Sequence, residues 1–256
     1  TLYTKPARSL AYYEEARAAM DRYGQQGDLR IQHLLFRKLG EASYGMDRTA
    51  EADAYQIKAI EIAERLVQMD ARDSRAAFDL AAANHGLART YTLSGRSGKA
   101  MPLLEKVIAG LAEMQKTRPE DKSVILNLAD NRCLLAEAYW ESGLQARSDT
   151  LAAQCIPALN ELANSPEASA GALEIASLHA WSIQPARFRN PLKAIDFAQR
   201  HVQQSGEEPF SLYVLASAQQ ATGDLQGMRK SAAKALPLLE SGHSNLRRKF
   251  TEMQLP

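Results

Sequence analysis

Cysteine is scarce in this chain: Cys133 and Cys155 are the only two among 256 residues. Two cannot make a disulfide framework and fall short of a zinc site. They read as small packing residues, because a catalytic thiol needs a histidine partner that the sequence does not place. An excess of one charge is also missing. Lys+Arg number 31 against 30 Asp+Glu, a net charge of +1, which argues against nucleic-acid binding. The longest apolar runs are about four or five residues, far below the roughly 18 of a spanning helix. No charged segment followed by an apolar one opens the chain, and the first residue is not Met. The chain therefore reads as a fragment of something longer.

Catalytic motifs are lacking as well. The histidines at 33, 85, 179, 201 and 243 form no pair at three or four residues and no HExxH, so no helix-borne metal face is expected. Gly95-Arg96-Ser97-Gly98-Lys99 superficially resembles a phosphate-binding loop. That loop needs a Gly five positions before its Gly-Lys pair and a Ser or Thr after it, and Leu93 and Ala100 stand there. A helix–helix turn is the better reading. No GxSxG is present, and Glu120 and Asp121 look like helix caps. The expectation is a non-enzyme with no cofactor and no metal.

What the chain does have is helix-forming sequence. It carries 43 Ala and 32 Leu against 15 Val plus Ile, a balance that favours helix over strand. Apolar residues recur at three- and four-residue intervals, as in Ile60, Ala63 and Val67, with Lys58, Glu61, Glu64 and Arg65 opposite. Leu103, Leu104, Val107, Ile108, Leu111 and Met114 form a second such stripe. Gly95 to Gly98, Pro119 with Asp121, Asp73, Pro166 and Gly206 to Pro209 punctuate the helices.

Self-similarity sets the organisation. Leu39-Gly40, Leu87-Ala88 and Leu135-Ala136 lie 48 residues apart. The same offset relates Ala52, Ala100 and Ser148, then Ala59, Val107 and Cys155. It also carries Asp73 onto Asp121, Tyr91 onto Tyr139 and Gly95 onto Gly143. Single coincidences are cheap in an Ala-rich chain, but six columns in one register are not. Within a unit, Leu87-Ala88, Tyr91, Gly95, Ala100, Leu104 and Val107 follow a physical logic. Small residues let two helices approach, an aromatic fills the gap to the next unit, and Gly relieves the turn. Position 43 is Ser where the aromatic should stand. Leu215-Ala216, Gly223, Ala232 and Ala235 fit later in the chain, with Met228 a departure. Leu178 to Ala180 with Ala194 and Ala198 fits only with a loop inserted at Gln184 to Asn190.

This pattern resembles the tetratricopeptide repeat (TPR) family, over most of the chain. The resemblance implies an all-α, right-handed superhelical solenoid of antiparallel helix pairs, with about five repeats plus end caps. The usual repeat is about 34 residues, so units of 48 are longer by about 14, some two turns per helix. The expected layout is one solenoid over 1–256. It has a partial first unit at 5–24, long repeats at 25–72, 73–120 and 121–166, shorter repeats at 167–205 and 206–240, and a capping helix at 244–253. Ala180-Trp181, Arg189-Asn190-Pro191, Ala194, Leu215-Ala216 and Ala221-Thr222-Gly223-Asp224 are similar to the helical regions that follow the kinase domain in some bacterial serine/threonine kinases. That likeness implies a sensory or protein-binding segment, often extracytoplasmic in that family; cytoplasm or periplasm are both open.

In the TPR family the functional residues sit on the first helix of each pair, helix A, facing a concave groove. Carried over residue by residue, these places hold Leu34, Arg37, Glu41 and Tyr44, then Ala82, His85, Arg89 and Thr92. Asp130, Cys133, Glu137 and Trp140 follow, then Trp181 and Gln184, then Phe210, Tyr213 and Ser217. Arg37, Tyr44, His85, Arg89, Glu137, Trp140, Trp181 and Tyr213 are the binding candidates, since aromatics and Arg carry most interface energy. The competing readings are packing between repeats for Trp140 and Trp181, and a solvated helix surface for His85 with Arg89. Glu41 and Glu137 do not fit the carboxylate clamp of chaperone-binding members. The implied function is a protein-interaction module that binds a peptide or protein segment. The alternatives are a homodimerisation or spacer element and a small-ligand input domain.

Overall fold

The computed structural model describes residues 6–22, 28–239 and 244–255. Residue 5 and residues 23–24 of the first partial unit, 25–27 of the first long repeat and 240 of the last repeat lie outside the described residues. The described chain is all-α, with no strand among those residues. Its helices are α1 (Pro6–Arg22), α2 (Leu29–Gly45), α3 (Thr49–Met69), α4 (Ser74–Leu93), α5 (Ser97–Thr117) and α6 (Lys122–Glu141). Then come α7 (Gln145–Asn164), α8 (Ala170–Ser182), α9 (Pro191–Ser205), α10 (Pro209–Thr222), α11 (Leu225–Ala235) and α12 (Ser244–Gln254). Single 3₁₀ turns occupy Ala186–Phe188 and Leu236–Leu238.

Local chemistry explains where these helices begin and end. Asp73 accepts from the amides of Arg75 and Ala76 at 2.9 and 3.1 Å, and Asp121 accepts from Ser123 and Val124 at 2.9 and 3.3 Å. Each satisfies amides that a helix start leaves without partners. The Asp73 carboxyl is held below its usual range, first by the Ala76 amide, then by the Arg75 amide and Arg30. At the other end, Gly95 and Gly143 take φ of 70° and 78°, a left-handed conformation that costs glycine little. There the amide of the following residue bonds back to the repeat aromatic's carbonyl, Arg96 to Tyr91 and Leu144 to Tyr139, each at 2.8 Å. The loop-like Gly95–Lys99 segment is thus the turn between α4 and α5.

The helices run long through the first part of the chain and shorten later. The pair α6 and α7 has 20 residues in each helix, whereas α8 has 13 and α11 has 11. The chain forms two compact units, one up to Leu111 and one from Ala112 onward. In the first, α3 packs between α2 and α4 through buried alanines such as Ala59 and Ala63. Gln56 of α3, 1% exposed, fills the space left by two glycines on its neighbours. A Cβ at Gly40 would sit 2.7 Å from Gln56 Cγ, and one at Gly86 would sit 2.7 Å from its Oε1.

In the second unit the core runs through Leu159, Leu173, Ile183 and Phe197, all buried. Here the structure corrects one expectation. Cys133 of α6 and Cys155 of α7 are not separate packing residues but a disulfide, with both side chains fully buried and Cα atoms 5.7 Å apart. The two helices are antiparallel around the turn at Gly143. Positions at similar distances on either side of that turn come level, within bridging range. The last helix, α12, seals the unit's end by burying Phe250 among Leu212, Ala216, Met228 and Ala232.

Candidate functional site

The first helices of successive pairs pack on one another: α2 on α4 in the first unit, α6 on α8 and α8 on α10 in the second. Polar pairs knit these contacts. In the first unit Arg30 of α2 reaches Asp79 of α4 at 3.0 Å and also pairs with Asp73. Beside them His33 is buried, and its Nε2 has no hydrogen-bond partner. Burial lowers its pKa below the usual histidine range, Asp79 opposes that effect, and Arg37 and Arg30 reinforce it.

The second unit carries a more concentrated arrangement. Asp130 and Glu137 stand two turns apart on α6, with His179 of α8 between them. His179 is 1% exposed. Its Nε2 lies 2.8 Å from Asp130 Oδ1, and its Nδ1 lies 3.6 Å from Glu137 Oε1. The first contact is a hydrogen bond, whereas the second has only ion-pair distance. Burial works against the charged imidazole, but the two carboxylates outweigh it and raise the His179 pKa to about 9. At neutral pH this is an imidazolium between two carboxylates. Ser182 Oγ donates to Leu178 O at 2.9 Å and stands 3.5 Å from Glu137 Oε1.

The binding candidates fall into different surroundings. Glu137 and Trp140 are half-buried on α6, one turn apart. Trp181 is half-buried between α8, α9 and α10, against Ala194, Ile195 and Ala218. Its ring meets Tyr213 edge-on at 6.5 Å, so these two candidates come together. Tyr213 in turn touches Phe210 and Phe250, and Lys249 donates to its hydroxyl at 3.1 Å. Trp181 and Tyr213 therefore pack between helices. In the first unit Arg37 lies 3.9 Å from Glu41, which Lys38 engages at 2.8 Å. Tyr44, His85 and Arg89 are half-buried on α2 and α4. Leu34 is exposed, Phe210, Ala82 and Gln184 are half-buried, and Asp130, Thr92 and Ser217 are buried. Cys133 faces inward into its disulfide.

Sequence reasoning did not single out Arg30, His33 or His179. One signal was available: Arg30–Asp79 and Asp130–His179 are both 49 residues apart, one more than the repeat offset. That spacing brings a residue of one first helix beside its neighbour in the next pair. Among the described residues, no group of three or more His, Cys, Asp or Glu is placed to hold a metal. None of the described helices is long and apolar enough to cross a membrane. A cavity of about 550 Å³ opens between the start of α6, the end of α7 and the start of α8, with Lys122, Leu126, Glu161 and Ala172 among its lining residues.

Stacked antiparallel helix pairs, with successive first helices in contact, define a TPR-like repeat fold. Several solved structures share it. RapI in its apo form matches over 98% of this chain and 90% of that chain, with TM-score 0.52 and 12% identity. BtubC (BKLC) from P. vanneervenii matches over 91% of this chain and 90% of that chain, with TM-score 0.50 and 16% identity. A kinesin light chain from Podosopora anserina with nearly identical TPR-like repeats matches at TM-score 0.41 and 21% identity, over 82% of this chain and 94% of that chain. That last score is too low to carry an argument. No protein-family model matches the chain. No curated protein matches it either.

Proposed function

We propose that this chain is a protein-interaction module whose first-helix face binds a peptide or protein segment. The observation that carries the reading is the contrast between Trp140 and Trp181. Both rings are half-buried, but Trp181 packs into the aromatic cluster between helices, whereas Trp140 makes no ring or cation contact among the described residues. Partly exposed Trp and Tyr side chains on a rigid scaffold are the residue types that anchor interfaces. In the first unit, Arg37, Tyr44, His85 and Arg89 supply the corresponding places.

Within a longer protein the module would regulate or localise a signalling domain. A bacterial serine/threonine kinase is the reading that the Ala180-Trp181 and Ala221–Asp224 segments support. The Cys133–Cys155 bridge supports an oxidising, extracytoplasmic setting. The test is selection from a displayed library of random peptides against the intact chain. Enriched peptides should bind wild type and lose affinity for Trp140→Ala, while the mass in solution stays the same. Failure to enrich any peptide overturns the reading, and a changed mass in the variant points to a dimer contact instead.

A further inference from the structure

His33 lies in the contact between α2 and α4, where only its neutral form is comfortable. The side chain is 3% exposed, and its Nε2 is buried without a hydrogen-bond partner. Arg30 and Arg37 stand one turn to either side of it on the same face of α2. Arg37 Nε is also buried without a hydrogen-bond partner, 3.9 Å from Glu41 Oε1. A neutral imidazole leaves one unmet nitrogen in this interior. An imidazolium would put an unpaired charge between two guanidiniums.

The neighbouring elements do not neutralise such a charge. From α4, Asp79 is the carboxylate that acts on His33, and Arg30 already engages it at 3.0 Å while pairing with Asp73 as well. His85 and Arg89 lie further along α4 and have contacts of their own. On α2, Glu41 is engaged by Lys38 at 2.8 Å. α3 meets α2 through Gln56, which donates to Arg37 O at 3.4 Å, and through Tyr55 against Phe36. α1 packs on the far side of α2, through Leu10 and Tyr13. Burial is the largest influence on the His33 proton and disfavours it, and Arg37 and Arg30 add to that. Asp79 and its backbone hydrogen bond do not compensate, so the pKa lies below the usual histidine range. His179 is the opposite case, with carboxylates where His33 has arginines.

We propose that the α2–α4 contact is an acid-sensitive latch, closed while His33 is neutral and loosened when it takes up a proton between Arg30 and Arg37. The ring's hydrogen bond to the Asp79 backbone uses the other nitrogen, so the proton arrives at Nε2, which has no acceptor. The sign follows from linkage. With the folded pKa depressed, the unfolded chain binds more protons as pH falls below 6.5, so the first unit loses stability in that direction. Carboxylates ordinarily titrate near about 4, below this window. Arg37, Tyr44, His85 and Arg89 belong to the same two helices, so the step also disturbs that face.

The experiment is amide hydrogen exchange of the intact chain at pH 7, 6 and 5, read as protection after correction for the intrinsic exchange rate at each pH. Protection in α2 and α4 should fall several-fold between pH 7 and 5, while that in α6 and α8 is undiminished because His179 keeps its proton. His33→Gln removes the titrating group and leaves His85 in place, so its α2 and α4 protection should be flat over the same range. Arg37→Gln is the second variant, informative even where His33→Gln fails to fold. It removes one of the two flanking cations, so the acid-induced fall should shrink. Flat protection in the wild-type first unit overturns the proposal. So does an equal fall in His33→Gln or in α6 and α8, or a fall that Arg37→Gln leaves unchanged.

Discussion

Raising the pH from 6 to 9.5 should destabilise the second unit through one residue, His179. The imidazole has an ordinary pKa of 6.5 when the chain is unfolded and about 9 in the fold. A raised folded-state pKa adds stability that is fully present below 6.5 and disappears as pH climbs through about 9. Each pKa unit is worth about 1.4 kcal/mol, so the gap corresponds to roughly 3 kcal/mol lost across that window. For a domain of ordinary stability this is a large share of the total. Both tryptophans of the chain, Trp140 and Trp181, lie in this unit, so fluorescence-monitored urea unfolding reports on it directly. The comparison variant is His179→Gln, which removes the titrating group. It should be less stable than wild type at pH 6, because Asp130 and Glu137 lose their shared cation. The gap between the two proteins should then narrow by pH 9.5. A wild-type stability that is flat between pH 6.5 and 9, or a slope equally steep in His179→Gln, would refute the imidazolium reading.

Three further outcomes test the packing. Replacing both Cys133 and Cys155 by Ala should lower the unfolding free energy of the second unit by about 3 kcal/mol, the chain-entropy value for a bridge spanning 22 residues. A urea midpoint that does not move would show that the bridge does not form. Gly40→Ala places a methyl group 2.7 Å from Gln56 Cγ and should cost about 1–3 kcal/mol of overpacking. Thermal melts should show that cost shrinking in a Gln56→Ala background, and an undiminished cost would mean that another contact is responsible. Asp73→Ala should lower the melting temperature through the lost helix cap. Melting followed by circular dichroism should show a shift in the first unit, and no shift would show that Arg30 and water leave the cap without effect.

Much of the fold is legible because the relevant forces are local or periodic. The 48-residue offset is the length of two helices of about 20 residues with their turns, as α6 and α7 show. Gly95 and Gly143 mark those turns because a positive φ is a backbone property that favours one residue type. Asp73 and Asp121 mark helix starts for a similar reason, since a cap reaches only its own next two or three amides. The surroundings of the candidate residues were not legible. Glu137 and Trp140 were named from their place on a first helix, but nothing local to them indicates His179. That histidine sits one repeat away and has no metal-like or catalytic spacing to its neighbours. The cysteines escaped for the same reason. A separation of 22 residues means nothing until α6 and α7 fold back on each other.

The sequence by itself determined that the chain is helical, that its helices come in pairs, and where most of them start and stop. Those properties follow from residue propensity, the spacing of small apolar residues and the chemistry of helix ends, none of which needs a distant partner. Only the tertiary structure decided which polar groups meet in the interior. It joined Cys133 to Cys155, wedged Gln56 between Gly40 and Gly86, and set Trp181 edge-on against Tyr213. It also set His179 between Asp130 and Glu137, where the cation is stable because two carboxylates outweigh the cost of burial. Those outcomes depend on the register of one helix against another across an interval of tens of residues. A shift of one residue along a helix turns a side chain by about 100° and would send each of these groups elsewhere.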